Sequence, residues 1–318
     1  MKIGLALGSG AARGWAHIGI IKALESLEIK VDVVAGCSIG AYVGAAYANN
    51  KLDELGDWAS ELTEWQVLSL MGVGLYKGGL ASGQKVFDVL REKFTPEHFE
   101  ELKKPLAVSA TDLYSGNEVT FMNGPIMPAV KASCAIPGLF APHLHEDRWL
   151  VDGAVVNPVP VNLCRQMGAD FVIAVNLSAD FRPSMQKAAF AEHEQNQQKT
   201  NDFFSKSQAI FQQWFSGNDK DETPKTDETM DDNTQAETIL KKKLGAPSII
   251  GVMSSSLEIL QARVTRSRLA GDPPDILIEP QLRDFGIMEF YRAKELIAEG
   301  ERSVERLKEQ IRYQLMLN

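Results

Sequence analysis

The sequence contains no run of about 18 consecutive apolar residues, so no transmembrane helix is expected. Cysteine is scarce: Cys37, Cys134 and Cys164 are an odd number with no C-x-x-C spacing, which suggests neither a disulfide framework nor a zinc site and fits a reducing, cytoplasmic setting. Positive charge is also short. Lys and Arg total 33 against 42 Asp and Glu, a net charge of -9, which argues against nucleic acid as a partner and against strong attraction to anionic membranes. The apolar run after Met1-Lys2 is too short for a signal peptide, lacks a plausible cleavage site, and reads as a first buried strand. No metal-ligand cluster is apparent, and no cofactor is expected. What is present is ample apolar material: 44% hydrophobic residues in 318 can bury a substantial core.

Strand and helix patterns alternate through the first half. "KIGLALG" is a strand, Ile18, Ile21, Leu24 and Leu27 fall at helical spacing, and residues 31–36 form a second strand. This βαβ unit implies a parallel sheet with helices on its faces. Helical patterns follow at 53–65 and 83–94, the latter with Ser82 as its expected N-cap. "PLAVSATDL" and "EVTFMN" flank a turn at Ser115-Gly116-Asn117 and suggest a hairpin. A short helix "PIMPAVKASCAI", a strand "RWLVDGA", a helix "PVNLCRQMG" and a buried strand "DFVIAVNL" come next. From residue 179 to 245 the chain turns polar, as an insertion with little to bury. Within it, 202–216 carries an aromatic stripe that reads either as a helix folded onto the core or as a lid or membrane-surface helix. A helix over 248–269, the strand "DILIEP" and a charged helix from about 288 complete the chain. The expected organisation is one domain over 1–318: a core at 3–178, the insertion, and a portion at 246–318 that completes the same sheet.

Chemistry concentrates at three places. "GCSIGA" at 36–41 sets a serine between two glycines where a strand turns into a helix. Glycine at 36 and 40 removes Cβ atoms that would clash in so tight a corner, so Ser38 projects from it, with the N-terminus of the following helix beside it. "GSGAARG" at 8–14 follows the first strand. As a dinucleotide fingerprint it is one residue too long, and Asp32 lies at the wrong end of the second strand to meet a ribose. As an oxyanion hole its successive N–H groups around Gly10 and Ala11 converge on one point. In a parallel sheet this turn and Ser38 are neighbours. The third place is Asp152, at the end of the apolar run "WLV" and followed by Gly153, a candidate base that also suits a turn or helix cap. His17 reads as structural, and His143 and His145 are the histidines available for a triad.

In that order and on those elements, "GSGAARG", "GCSIGA" and "DGA" resemble the three signatures of the patatin-like phospholipases, in particular the bacterial branch similar to the neuropathy target esterase catalytic domain. "ASCAIPGLFAP" before Asp152 and "AGDPPDILIEP" near the end resemble the RssA-like subgroup. The resemblance covers most of the chain outside the polar insertion. It implies a three-layer α/β/α fold with a central, mostly parallel sheet, related to the α/β-hydrolases, and a Ser–Asp dyad without histidine. Carried onto this sequence, Ser38 is the nucleophile and Asp152 the base. Gly8, Ser9, Gly10, Ala11, Arg13 and Gly14 form the oxyanion turn, with Arg13 bracing it; Gly36, Cys37, Ile39 and Gly40 form the nucleophile elbow, and Gly153 and Ala154 complete the DGA motif. Ser9, Ala11 and Ala12 stand where the usual motif is richer in glycine, a change the backbone donors survive if no residue there needs a positive φ. The function implied is hydrolysis of lipid esters, phospholipid or lysophospholipid, without metal or cofactor, in the cytoplasm or against the inner membrane face. A non-catalytic lipid- or partner-binding role on the same fold is the alternative. The apolar stretch 68–80 and segment 202–216 are candidates to border an acyl-chain groove.

Overall fold

The computed structural model describes residues 1–76, 79–180 and 249–316. Segment 202–216, and the expected insertion from residue 181 onward, lie outside the described residues. The chain divides into two compact units, Met1–Phe181 with Ser256–Asn318, and Arg182–Ser255. The sheet and the site belong to the first.

The elements of the described residues are, in chain order, β1 (Ile3–Leu7), α1 (Ala16–Ser26), β2 (Val33–Cys37), α2 (Ile39–Ala48), α3 (Leu52–Ser60), α4 (Glu64–Met71), β3 (Val73–Tyr76), β4 (Gly79–Ala81), α5 (Gln84–Lys93), β5 (Leu106–Asp112) and β6 (Glu118–Phe121). There follow α6 (Ile126–Ser133), β7 (Gly138–Phe140), β8 (His143–His145), β9 (Arg148–Asp152), α7 (Val161–Gln166), β10 (Phe171–Val175), α8 (Ile249–Gly271), β11 (Ile276–Ile278) and α9 (Ala293–Leu315). The main sheet runs β11-β10-β1-β2-β5-β9-β8, with β6 also paired to β5, and β3, β4 and β7 form a small separate sheet.

Strands β1, β2 and β10 are apolar almost without interruption, as central parallel strands covered on both faces must be. Their alternation sorts side chains into two layers. Leu5, Leu7, Val34, Ile173 and Val175 meet a core that includes α1, α2 and α9. Ala6, Val33, Ala35, Val172 and Ala174 meet Val161, Leu163 and Cys164 of α7, with Leu269 of α8 packed behind. Helix α2 is buried on every side, which its sequence "IGAYVGAAYA" permits. The result is the three-layer α/β/α fold, with β11 parallel to β10 and so part of the same sheet.

Register places the site. On one edge of β5, β6 pairs with Val108 to Thr111. On the other edge β2 pairs up to Cys37↔Ser109, and β9 takes over at Asp152↔Ala110. Because β2 and β9 run in opposite directions relative to β5, their carboxyl ends meet tip to tip at adjacent residues of that strand.

Two local expectations differ from the structure. The helical pattern at 53–65 is two helices: α3 stops at Ser60, and Thr63 opens α4 with a capping box, its side chain accepting the Gln66 N–H while the Gln66 side chain accepts the Thr63 N–H. Helix α5 is capped by Gly83 at φ 59°, with the Ser82 hydroxyl at the outer limit of hydrogen bonding, 3.5 Å from the Gln84 N–H.

Candidate active site

Strand β2 ends at Cys37 and α2 begins at Ile39, so Ser38 alone makes the corner, at φ 56° and ψ -124°. That region is nearly closed to residues with side chains and costs roughly 1–3 kcal/mol, so its surroundings must hold it. Glycines make the space: a Cβ at Gly40 would overlap the Leu7 carbonyl, and one at Gly36 would lie 2.5 Å from the Gly40 carbonyl oxygen. No side chain caps α2, so its first N–H groups offer their partial positive charge beside Ser38.

The Ser38 hydroxyl donates to Asp152 Oδ2 at 2.6 Å, with both residues buried. Asp152 Oδ1 accepts from the Ala154 N–H at 2.8 Å and from the Cys37 thiol at 3.8 Å. The backbone of Asp152 is fixed in turn, its N–H donating to the Ala135 carbonyl at 3.0 Å and its carbonyl accepting from the Thr111 hydroxyl at 2.9 Å. Burial dominates the electrostatics and pushes the Asp152 carboxyl up to about 7, against the hydrogen bonds from Ser38, Ala154 and Cys37 that pull it down. Burial likewise pushes the thiols of Cys37 and Cys134 up, which keeps both uncharged beside the carboxylate.

The glycine turn adjoins this corner: Gly14 packs against the Ile39 side chain, and Ala11 and Ser38 line the same cavity. The six residues expected to serve the oxyanion turn separate by what their backbones do. The N–H of Gly8 donates to the Val175 carbonyl at 3.1 Å, that of Ser9 to the Pro158 carbonyl at 2.9 Å, and that of Arg13 to the Gly10 carbonyl at 3.2 Å, so these three are already engaged. Gly14 lies inside the 3-10 turn Ala11–Trp15 that the loop opens. Among the described residues the N–H groups of Gly10 and Ala11 have no partner. Ala11 has φ 50°, so the turn does demand a left-handed residue, and it demands it at one of the positions where the usual glycine is missing. The Arg13 side chain braces the turn from outside, donating through Nε to the Phe285 carbonyl at 2.9 Å, with Glu258 3.9 Å from its guanidinium.

No histidine reaches Ser38 or Asp152 among the described residues. His17 is fully buried with Nε2 2.8 Å from the Gly8 carbonyl, and burial lowers it to about 4, so it is a neutral donor supporting the turn. His143 and His145 lie on β8, the latter edge-on to Phe121 at 4.9 Å. Asp32 accepts the Ile3 N–H at 2.7 Å, at the edge of the sheet away from the corner.

Ser38 opens into an apolar cavity walled by Trp15, Tyr42, Trp58, Phe87, Phe140 and Phe290 among others. Of the stretch 68–80, Leu70 and Met71 line it. Two contributions went unseen in the sequence. Cys134 lines the cavity beside Ser38, and Ser133, fully buried at the end of α6, accepts the Ser38 N–H at 2.8 Å. A signal for Ser133 existed: Ile126, Ala129, Val130 and Ser133 share one helical face, and a hydroxyl on an otherwise apolar buried stripe needs a partner.

The patatin-like phospholipase family model matches residues 5–165. The chain is 32% identical over 327 residues to an uncharacterised NTE family protein of Mycobacterium tuberculosis, a similarity covering 94% of this chain and 89% of that protein. It is 30% identical over 185 residues to neuropathy target esterase sws of Drosophila melanogaster and 32% over 194 residues to a lysophospholipase of Mycosarcoma maydis, each covering 56% of this chain and, respectively, 13% and 10% of those longer proteins. With the matched span reaching from the first strand, across the Ser38 corner and the Asp152 turn, into α7, the chain belongs to the patatin-like phospholipase family.

Proposed function

We propose that this protein is a serine acyl-ester hydrolase in which Ser38 attacks the ester carbonyl and Asp152 takes its proton. The observation that carries this reading is the 2.6 Å hydrogen bond from the Ser38 hydroxyl to a buried carboxylate, with no intervening histidine among the described residues. A carboxylate in water is too weak a base for an alcohol, and burial is what brings Asp152 to about 7, close to a working pH. As the carbonyl becomes tetrahedral, its oxygen gains charge, and we assign its stabilisation to the unengaged N–H groups of Gly10 and Ala11, each contributing roughly 100- to 1,000-fold. The leaving alcohol takes the proton from Asp152. A water molecule, deprotonated by the same carboxylate, then attacks the acyl-serine, and the carboxylic acid departs with Ser38 restored.

The substrate class follows from the cavity and the relatives. Aromatic and aliphatic walls beside Ser38 suit a fatty-acyl chain, and one relative is a lysophospholipase, so a lysophospholipid or phospholipid ester is the substrate that we assign. The test is hydrolysis of a medium-chain nitrophenyl ester and of a lysophospholipid by the purified chain. Ser38→Ala and Asp152→Asn are each expected to lose about 1,000-fold or more in kcat while remaining folded. A fluorophosphonate should label Ser38 alone. Activity persisting in Ser38→Ala would overturn the assignment, and loss of acylation in His143→Ala or His145→Ala would replace the dyad by a triad.

A further inference from the structure

Residues Ser133, Cys134 and Ala135, where α6 ends, touch the backbone of both reacting residues. Ser133 Oγ accepts the N–H of Ser38 at 2.8 Å, and the carbonyl of Ala135 accepts the N–H of Asp152 at 3.0 Å. Cys134 between them lines the cavity next to Ser38. One short segment thus grips the nucleophile and the base, each by a main-chain N–H.

The grip on Ser38 is needed because of where that N–H lies. Cys37 is the last residue of β2 paired to β5, and the helical hydrogen bonds of α2 begin with the N–H groups of Ala41 and Tyr42 on the Ser38 carbonyl. The Ser38 N–H falls between the two systems, buried, in a conformation a serine avoids. Its sole partner among the described residues is the hydroxyl of Ser133. Water cannot substitute without entering a site where Ser133 is fully buried.

We propose that Ser133 is a positioning residue for acyl transfer: by accepting the Ser38 N–H it holds the nucleophile's backbone at the strained corner and, with the Ala135 carbonyl, fixes the distance from Ser38 Oγ to Asp152. This rests on the reading of Ser38 and Asp152 as nucleophile and base. The bond also removes the Ser38 N–H from any contact with substrate, leaving charge stabilisation to the glycine turn and the first N–H groups of α2. Because the bond is to the backbone, its loss relaxes the corner and swings Oγ away from the carboxylate. The cavity walls that bind the acyl chain stay in place.

The experiment compares the full-length wild type with Ser133→Ala and Ser133→Cys, using a soluble ester, the rate of Ser38 labelling by a fluorophosphonate per folded molecule, and thermal unfolding. Ser133→Ala is expected to lower kcat and the labelling rate about 10- to 100-fold with KM within about twofold, as misplacement of a reacting atom does. Ser133→Cys keeps the volume and offers a weaker acceptor, so its rate should lie between the two. A merely structural serine would lower the unfolding temperature and leave the labelling rate of folded molecules unchanged, and that result overturns the proposal. Should Ser133→Ala not fold, Ser133→Cys decides alone, and a wild-type labelling rate in it is equally fatal. Ser38→Ala run in parallel separates the two readings: if it stays active, the nucleophile assignment has failed, whereas if it is dead and the Ser133 variants match wild type, only the positioning role has.

Discussion

A carboxyl group held at about 7 is half ionised near neutrality, and this gives the reaction a direction in pH. In the proposed mechanism only ionised Asp152 can accept the Ser38 proton, so kcat/KM on a soluble ester should rise about tenfold per pH unit below 7 and level off above it. A flat profile from pH 5 to 8 would remove Asp152 as the base. The same shift has a cost in stability. Since the folded-state value lies above the reference 3.8, the contribution is fully present below about pH 4 and is lost as pH rises through about 7, to the extent of roughly 4 kcal/mol. Asp152→Asn, which cannot ionise, should therefore unfold at a higher temperature than wild type at pH 8, with the gap narrowing at pH 5; calorimetry at both values checks it. Ala11 offers a second test. At φ 50° it carries a penalty that glycine would not, so Ala11→Gly should gain about 1 kcal/mol in chemical denaturation without losing activity. Ser38 and Asp152 were readable because each sits in a short motif of its own. For Ser133 the apolar stripe signalled only the need for a partner, not which one, since that partner lies 95 positions away. Nor could spacing tell that the N–H groups of Gly8 and Ser9 are consumed by Val175 and Pro158, far along the chain.

Among elements, the junction of β1, β2 and α2 tolerates least change. The first turn of α2 crosses the end of β1 so closely that a methyl group at Gly40 would enter the Leu7 carbonyl. Backbone cannot yield there as a flexible side chain would, so Gly40→Ala should cost about 3 kcal/mol or more and abolish labelling of Ser38, as measured by denaturation and fluorophosphonate uptake. Most elements announced themselves by period, because buried parallel strands are apolar throughout and the helices flanking them are striped. The misreadings fall at element ends. Leu52 to Met71 keeps an apolar rhythm across the break between α3 and α4, and only the Thr63–Gln66 pair marks where the second helix starts. At α5 the hydroxyl of Ser82 looks like a cap, yet the left-handed Gly83 takes that place because it lets the chain turn sharply out of β4.

For the molecule as a whole, acidity bears on where it works. None of the helices among the described residues is long and apolar enough to cross a membrane. A net charge of -9 opposes approach to an anionic surface over about one Debye length. Hydrolysis of zwitterionic lysophospholipid micelles should accordingly exceed that of anionic ones at low salt, and the ratio should fall toward one between about 0.01 and about 0.5 M salt. Equal rates at low salt would show that local chemistry, not global charge, governs encounter. Long-range order was legible as far as the parallel sheet, but not in how β9 enters it, since two strands of opposite direction that end against neighbouring residues of a third leave no mark on either sequence. That abutment on β5 separates reactivity from chain connectivity. The spacing of the reacting oxygens is inherited from consecutive steps of one pleated ladder, Ser109 then Ala110. Surface loops between α2 and β9, other than the α6–β7 connection that carries Ala135, could therefore lengthen, shorten or be cut and rejoined elsewhere without shifting that spacing, whereas adding or deleting one residue inside β5 would separate the pair.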